Sequence, residues 1–189
     1  MTFSLLAAAS FATRTERLVA AARALAGETG SSAFTVAQVS ARAGLSLKAF
    51  YRCFHGKDEL LIALLEDDSR MGVEIIARRL ANAPDPLHSY VDELFALASR
   101  PDAAGYAAIL VREYRRLGEH HRDELQSALE PLTTLLASHL ATADPKRDAE
   151  TMFGVLMNGI NDIVLGRVDD IADHAGYLHQ FCTRGLESL

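Results

Sequence analysis

Apolar residues recur along this chain at intervals of three and four, and no run of four or more residues alternates convincingly between apolar and polar. That period is helical and leaves no strand signal, so the pattern predicts an all-α protein of about nine helices. A first helix, from about Thr13 to Glu28, carries Leu18, Ala21, Ala22 and Leu25 on its inner stripe; Thr13 or Thr15 can cap it, and Gly27 and Gly30 mark its end. Thr35 with Gln38 three residues on forms a capping box for a second, short helix carrying Val36, Val39 and Ala43. Gly44 suits the left-handed residue that ends it, Leu45 is an apolar plug, and Ser46 caps a third helix that Gly56 breaks. A long fourth helix, about Lys57 to Ala81, carries Leu60, Leu61, Leu64 and Leu65 toward the first three and Val73, Ile76 and Leu80 beyond them. Two prolines between Asn82 and Pro86 break the pattern. Five more helices follow, at about His88–Ser99, Pro101–Gly118, Glu119–Leu140 (with a kink or break at Pro131), Lys146–Gly166 and Ile171–Leu186.

The third helix has two unlike faces. Phe50 and Phe54 share one, one turn apart, and are most cheaply buried against neighbouring helices. The opposite face carries Lys48, Arg52 and His55, flanked by Ala49 and Tyr51. Cations for phosphates, donors for base edges and little bulk between them are what a helix needs to enter a major groove.

At this point a resemblance becomes specific. The pattern G-L-S-x-x-x-F-Y-x-x-F-x-x-K at Gly44–Lys57, preceded by T-x-x-x-V-S-x-x-A from Thr35, resembles the DNA-binding domain of the TetR family of bacterial transcriptional regulators. The resemblance covers roughly residues 13–65; the rest matches the family in length and helical character only. It implies an N-terminal three-helix bundle over residues 1–57, with the helix-turn-helix at about 35–55, and a helical ligand-binding and dimerisation domain over 58–189. It further implies that Thr35, Gln38, Ser46, Tyr51 and Lys57 hold phosphates, the last at a helix start where backbone N–H groups favour an anion. Leu47, Lys48 and Ala49, with Arg52, would face bases; Leu47 and Ala49 offer no hydrogen bond and would read thymine methyl groups. Arg14 and Arg17 are phosphate candidates by proximity.

Charge sharpens this reading. The net charge of −6 is a balance of seven Lys or Arg against two Asp or Glu in residues 1–57, and of 12 against 23 afterwards. A basic end on an acidic body directs polyanion binding to that end. Cys53 and Cys182 make no disulfide framework and read as reduced thiols of a cytoplasmic protein. The apolar run in MTFSLLAAASFATR has no basic start and is too short to span a bilayer, so it reads as an arm before the first helix, and no membrane partner is expected.

A single recognition helix reads few base pairs, so double-stranded DNA with a palindromic operator and a homodimer are the expected partners. The eighth and ninth helices, through Phe153, Leu156, Ile160, Val164, Leu178 and Phe181, are the candidate dimer surface, and the family resemblance implies a four-helix bundle there. Gly154 and Gly159 inside the eighth helix point to close helix packing. Tyr90, Phe95, Tyr106, Tyr114, Met152, Met157, Asn158 and Asn161 are candidates to line a largely apolar pocket. In the family such a pocket takes a small effector, which moves the fourth helix and spreads the DNA-reading heads. Arg112, Arg115, Arg116, His120, His121 and Arg122 form a basic knot, either a site for an anionic effector group or a solvated face paired with Glu113, Glu119 and Asp123. Adjacent His120 and His121 point apart on a helix, and no phosphate loop, nucleophile elbow or zinc motif appears, so neither cofactor, metal site nor catalytic residue is expected. The reading is a ligand-responsive transcriptional repressor; the alternative is a helical ligand-binding or adaptor protein without specific operator binding, and salt dependence separates the two.

Overall fold

The computed structural model describes residues 2–100 and 104–187 of the chain. Among these the fold is all-helical: α1 (Thr2–Thr29), α2 (Val36–Arg42), α3 (Leu47–Phe50), α4 (Lys57–Leu80), α5 (Pro86–Ser99), α6 (Ala104–Gly118), α7 (Arg122–Ala137), α8 (Pro145–Val164) and α9 (Ile171–Glu187). The expected opening of α6 at Pro101 lies outside the described residues.

The N-terminal unit is α1 packed on α2 and on the start of α4, with α3 held against α2. Leu18 and Ala22 of α1, Val39 of α2, Phe50 and Phe54 and then Leu60 and Leu64 of α4 are all buried there. Each short helix is capped as its sequence predicts. Thr35 accepts from the Gln38 amide at 3.2 Å while the Gln38 side chain accepts from the Thr35 amide at 2.8 Å, closing the box. Ser46 accepts from the Ala49 amide at 3.2 Å. Gly44 takes φ +63°, a conformation that costs an L side chain, and the turn it makes is braced from α1 by Arg17, which donates to the Ala43 carbonyl.

α4 runs from this unit into the body, where it packs most extensively on α7 and also on α5. Its buried residues change side on the way: Leu60, Leu61, Leu64 and Leu65 in the first half, Ile76 and Leu80 in the second. α8 lies against α6, α7 and α9, and α9 packs mainly on α5. Gly159 of α8 lies close against Leu178 of α9 and Phe95 of α5. A Cβ there would fall 2.3 Å from Leu178 Cδ1 and 2.8 Å from Phe95 Cζ, so a larger residue requires these side chains to shift. Gly154, the other glycine of this pair, has nothing within 4 Å and faces an open side.

Several element bounds differ from the sequence expectation. α1 extends back to Thr2, taking in the apolar arm. α3 is a single turn: the amides of Cys53 and Phe54 both bond the Phe50 carbonyl, at 2.8 and 2.9 Å, and this tightening carries Phe54 into the core. α7 starts only at Arg122, because His120 and His121 turn back onto the Leu117 carbonyl. It then passes through Pro131 without a break. The carbonyl that Pro131 orphans belongs to exposed Ser127, where water can satisfy it.

Candidate functional site

The outer surface of the N-terminal unit is built on a buried aromatic floor. Phe50 is fully buried, its ring 5.6 Å from that of Phe54 and edge-on to Tyr51 at 5.4 Å. With α3 pinned by that floor, its remaining side chains point outward. Leu47 and Tyr51 are 48 % and 58 % exposed, Lys48 and Arg52 are exposed, and Ala49 is half-buried between them. Thr35, Gln38 and Ser46 are also exposed, though each already spends a hydrogen bond on its cap.

Two of the expected cations are already engaged by the fold. Arg17 braces the turn, as described. The Lys57 ammonium donates to the Ser32 carbonyl and sits 4.8 Å from the centre of the Phe34 ring, and burial pushes its pKa down. A phosphate at this helix start would share the ammonium with Ser32. His55 is fully exposed, but its Nδ1 lies 2.9 Å from Glu59 and its amide donates to the same carboxylate.

The basic knot is exposed at Arg112, Arg115, Arg116, His120 and Arg122, and two of its arginines, Arg112 and Arg116, join a polar junction. Buried Glu113 of α6 accepts from the Ser32 hydroxyl and from Arg116 Nε at 2.7 Å. Arg116 also pairs with Asp58 through two nitrogens, and Arg112 donates to the Ser32 hydroxyl at 3.2 Å. Hydrogen bonds from Arg116 hold the Asp58 carboxyl below its usual range. The α1–α2 loop, the start of α4 and the end of α6 thus share one polar network. Arg115 stands apart, donating to Asn158 Oδ1.

Between α4, α5, α6, α7 and α8 lies a largely apolar cavity of about 370 Å³. Met71, Ile75, Ile76, Leu97, Leu110, Phe153 and Met157 supply much of its wall. Its polar end is a cluster in which Tyr106 donates to Asp68 Oδ2 at 2.7 Å and Arg23 grips Asp68 Oδ1 at 2.8 Å and Asp67 at 2.8 Å. Burial raises the Asp68 carboxyl above its usual range despite Tyr106 and Arg23, which pull the other way. Ser69 Oγ, also on the wall, is buried with no partner. Two further clefts, of about 440 and 320 Å³ along α6, α7 and α8, are lined mainly by polar side chains.

Of the expected pocket residues, Tyr106 and Met157 line this cavity. Tyr90 does not: it is wholly buried and its hydroxyl donates to the Leu132 carbonyl, tying α5 to α7. Phe95 and Met152 are core, Tyr114 borders a polar cleft, and Asn158 is exposed beside Arg115. Asn161 is half-buried and absent from the wall. The reason is helical phase. Asn158 follows Met157 by one position, about 100° round the helix, and so faces away from the cavity. The expected dimer residues are corrected in the same way. Phe153 and Ile160 line the cavity, and Leu156 and Leu178 are buried within the chain. Phe181 is 58 % exposed and stacks on Tyr177, itself 63 % exposed, with Leu165 exposed nearby in sequence to half-buried Val164. Asp68, Arg23 and Ser69 were missed; the signal available was a polar DDS run inside the apolar stripe of α4.

Comparison with known proteins bears on this arrangement. Residues 18–64 match the family model described as bacterial regulatory proteins, tetR family. No curated protein sequence matches the chain. Solved structures share its fold. A TetR transcriptional regulator from Rhodococcus sp. RHA1 aligns with a TM-score of 0.70 at 20 % identity, over 90 % of this chain and 94 % of its own. RolR in complex with resorcinol aligns with 0.69 at 22 %, over 92 % and 89 %. FadR from Bacillus subtilis in complex with stearoyl-CoA aligns with 0.65 at 15 %, over 88 % and 96 %.

Proposed function

We propose that this chain, whose residues 18–64 match the model of the tetR family of bacterial regulatory proteins, is a repressor of that family that binds a palindromic operator as a homodimer and leaves it when a small, largely apolar effector binds. The observation that carries the reading is α3: a one-turn helix fixed by buried Phe50 and Phe54, with Leu47, Lys48, Tyr51 and Arg52 standing clear of the body. Lys48, Leu47, Ala49 and Arg52 face base edges. Thr35, Gln38, Ser46, Tyr51 and Lys57 hold the backbone, which sets register without carrying sequence information. Residues 1–57 form the DNA-binding domain and residues 58–189 the effector and dimerisation domain of a cytoplasmic protein.

Two copies pair through the open faces of α8 and α9, with Tyr177 and Phe181 at the centre and Val164 and Leu165 beside them. Exposed aromatic pairs of this kind are the anchors of protein interfaces. The twofold axis then sets the α3 helices roughly 34–36 Å apart, or a multiple of it, on successive turns of the groove. The effector occupies the cavity behind Tyr106 and Met157. Support comes from its apolar wall with one polar end, and from neighbours of the same fold crystallised with resorcinol and with stearoyl-CoA. An occupant presses on Met71 and Ile75 of α4, and α4 begins at Lys57, directly after the α3 unit.

The test is a titration of the purified chain on fragments of its own flanking intergenic DNA at two salt concentrations, with Lys48→Ala and Tyr51→Ala alongside. Tight binding to one palindromic fragment, weakened by both substitutions, is the expected result. Weak binding that is equal on every fragment and falls only with salt would overturn specific operator recognition and favour a helical ligand-binding or adaptor protein.

A further inference from the structure

A second cluster lies away from both the α3 face and the cavity, where the first turn of α5 meets the middle of α9. Asp85, His88 and His179 each offer one ligand atom, and these atoms all lie within 4.8 Å of one another. Asp85 is the N-cap of α5 and uses only Oδ1 for that, accepting from the His88 amide at 3.0 Å. Its Oδ2 is left facing His179 Nε2 at 3.8 Å. The two imidazoles stack with centroids 4.7 Å apart and planes 12° from parallel. Asp92 Oδ1, one turn along α5, lies 3.5 Å from His88 Nε2, and the Thr183 hydroxyl lies 3.4 Å from His179 Nε2. The His179 side chain is only 14 % exposed.

We propose that Asp85, His88 and His179 form a divalent transition-metal site that staples α9 to the start of α5. Two imidazoles and one carboxylate are the donor set of three-ligand zinc sites, with a fourth position left for water. Donors about 2.0–2.2 Å from one ion stand roughly 3.3 Å from each other, so the cluster has to close by no more than about 1.5 Å. His88, with its side chain 45 % exposed, has room to make that movement. The stacked rings need only swing their nitrogens together, because Asp85 is already fixed by its cap. Asp92 is placed to orient the His88 ring, as carboxylates beside ligating histidines do. Imidazole donors select zinc-like ions over Mg²⁺, which prefers oxygen. The ion would join the loop that follows α4 to the helix that carries Tyr177 and Phe181.

The test uses the full chain, stripped with EDTA and desalted, then titrated with Zn²⁺ by calorimetry and with Co²⁺ by visible absorption. The expected result is one ion per chain, a d–d band of tetrahedral intensity with Co²⁺, and a Tm raised by about 5–10 °C at roughly 100-fold excess over Kd. Mg²⁺ at the same concentration gives no shift. His88→Ala and His179→Ala each weaken binding at least about 100-fold, and Asp85→Asn at least about tenfold. Asparagine also caps helices, so Asp85→Asn keeps the fold while removing the ligand charge. The His120→Ala/His121→Ala double variant binds as the parent does. Absence of saturable Zn²⁺ uptake would overturn the proposal, as would uptake unchanged in His88→Ala and Asp85→Asn.

Discussion

Arg116, near the end of α6, pairs with Asp58, the second residue of α4, through N–O distances of 2.5 and 3.2 Å, while its Nε holds buried Glu113 at 2.7 Å. One guanidinium thus joins the start of α4 to α6, which helps wall the cavity. Glu113 also accepts from Ser32 in the α1–α2 loop, so three segments depend on it. Removing Arg116 takes away the guanidinium hydrogen bond to the buried Glu113 carboxylate and leaves Ser32, Arg112 and the Lys57 ammonium around it. Arg116→Ala is expected to destabilise the chain by about 1–3 kcal/mol at neutral pH, read from urea unfolding. The pH dependence follows from Asp58. Its folded pKa lies below the ordinary value, so the stability it adds is present above the ordinary carboxylate pKa and is lost as pH falls through the depressed one. The gap between parent and variant should therefore narrow below about pH 4. A gap that stays constant from neutral to acid pH would remove Asp58 from the account.

The helix-turn-helix separates scaffold from reader. Phe50→Ala empties a fully buried site and is expected to cost about 3–5 kcal/mol. Tyr51→Phe, at an exposed position, should leave Tm unchanged and weaken binding to all DNA sequences alike, by loss of one phosphate contact. Lys48→Ala should instead reduce the preference for operator over random DNA. Thermal melts and competition binding distinguish all three. An equal loss of specificity in Tyr51→Phe and Lys48→Ala would mean the two residues do not divide the work in this way.

Much of this unit was legible in the sequence, because its signals are local. A capping box, a left-handed glycine and two phenylalanines one turn apart each act within a few residues, and Thr35, Gly44, Phe50 and Phe54 all behave accordingly. The body was legible only as helices. Which side of α8 meets the cavity depends on where α6 and α7 sit, and no spacing within α8 encodes that. Hence Phe153 and Ile160 turned from the expected dimer face to the cavity wall, and Asn158 turned from the pocket to solvent. The pairing of His88 with His179 and of Arg116 with Asp58 joins helices far apart in the chain, which periodicity cannot reveal.

Gly159 illustrates the same limit. A helix-interior glycine costs about 1 kcal/mol relative to alanine, so Gly159→Ala would stabilise an isolated α8. In the fold the added methyl meets Leu178 at 2.3 Å and Phe95 at 2.8 Å. Overpacking of that kind costs about 1–3 kcal/mol and outweighs the propensity gain. A lower unfolding midpoint with an unchanged m-value is the expected outcome, and a raised midpoint would mean that Leu178 yields freely.

The polar end of the cavity makes a prediction about a carboxyl group rather than a midpoint. Burial raises the Asp68 pKa, and the Tyr106 hydroxyl is among the groups that hold it down. Tyr106→Phe removes that donor while keeping the ring on the cavity wall. The Asp68 carboxyl should then titrate at a higher pH, followed by carbon-13 NMR of the side chain. The sign for stability follows. A carboxyl with a raised folded pKa favours the folded state at low pH, and that advantage is lost as pH rises through the folded value. Tyr106→Phe is therefore expected to be close to the parent in acid and less stable than it near neutrality, where the charged carboxylate retains Arg23 alone among its two side-chain donors. An Asp68 titration that does not move would mean that Arg23 by itself sets the charge of this cluster, and the polar end of the cavity would then be an ion pair with Tyr106 as a bystander.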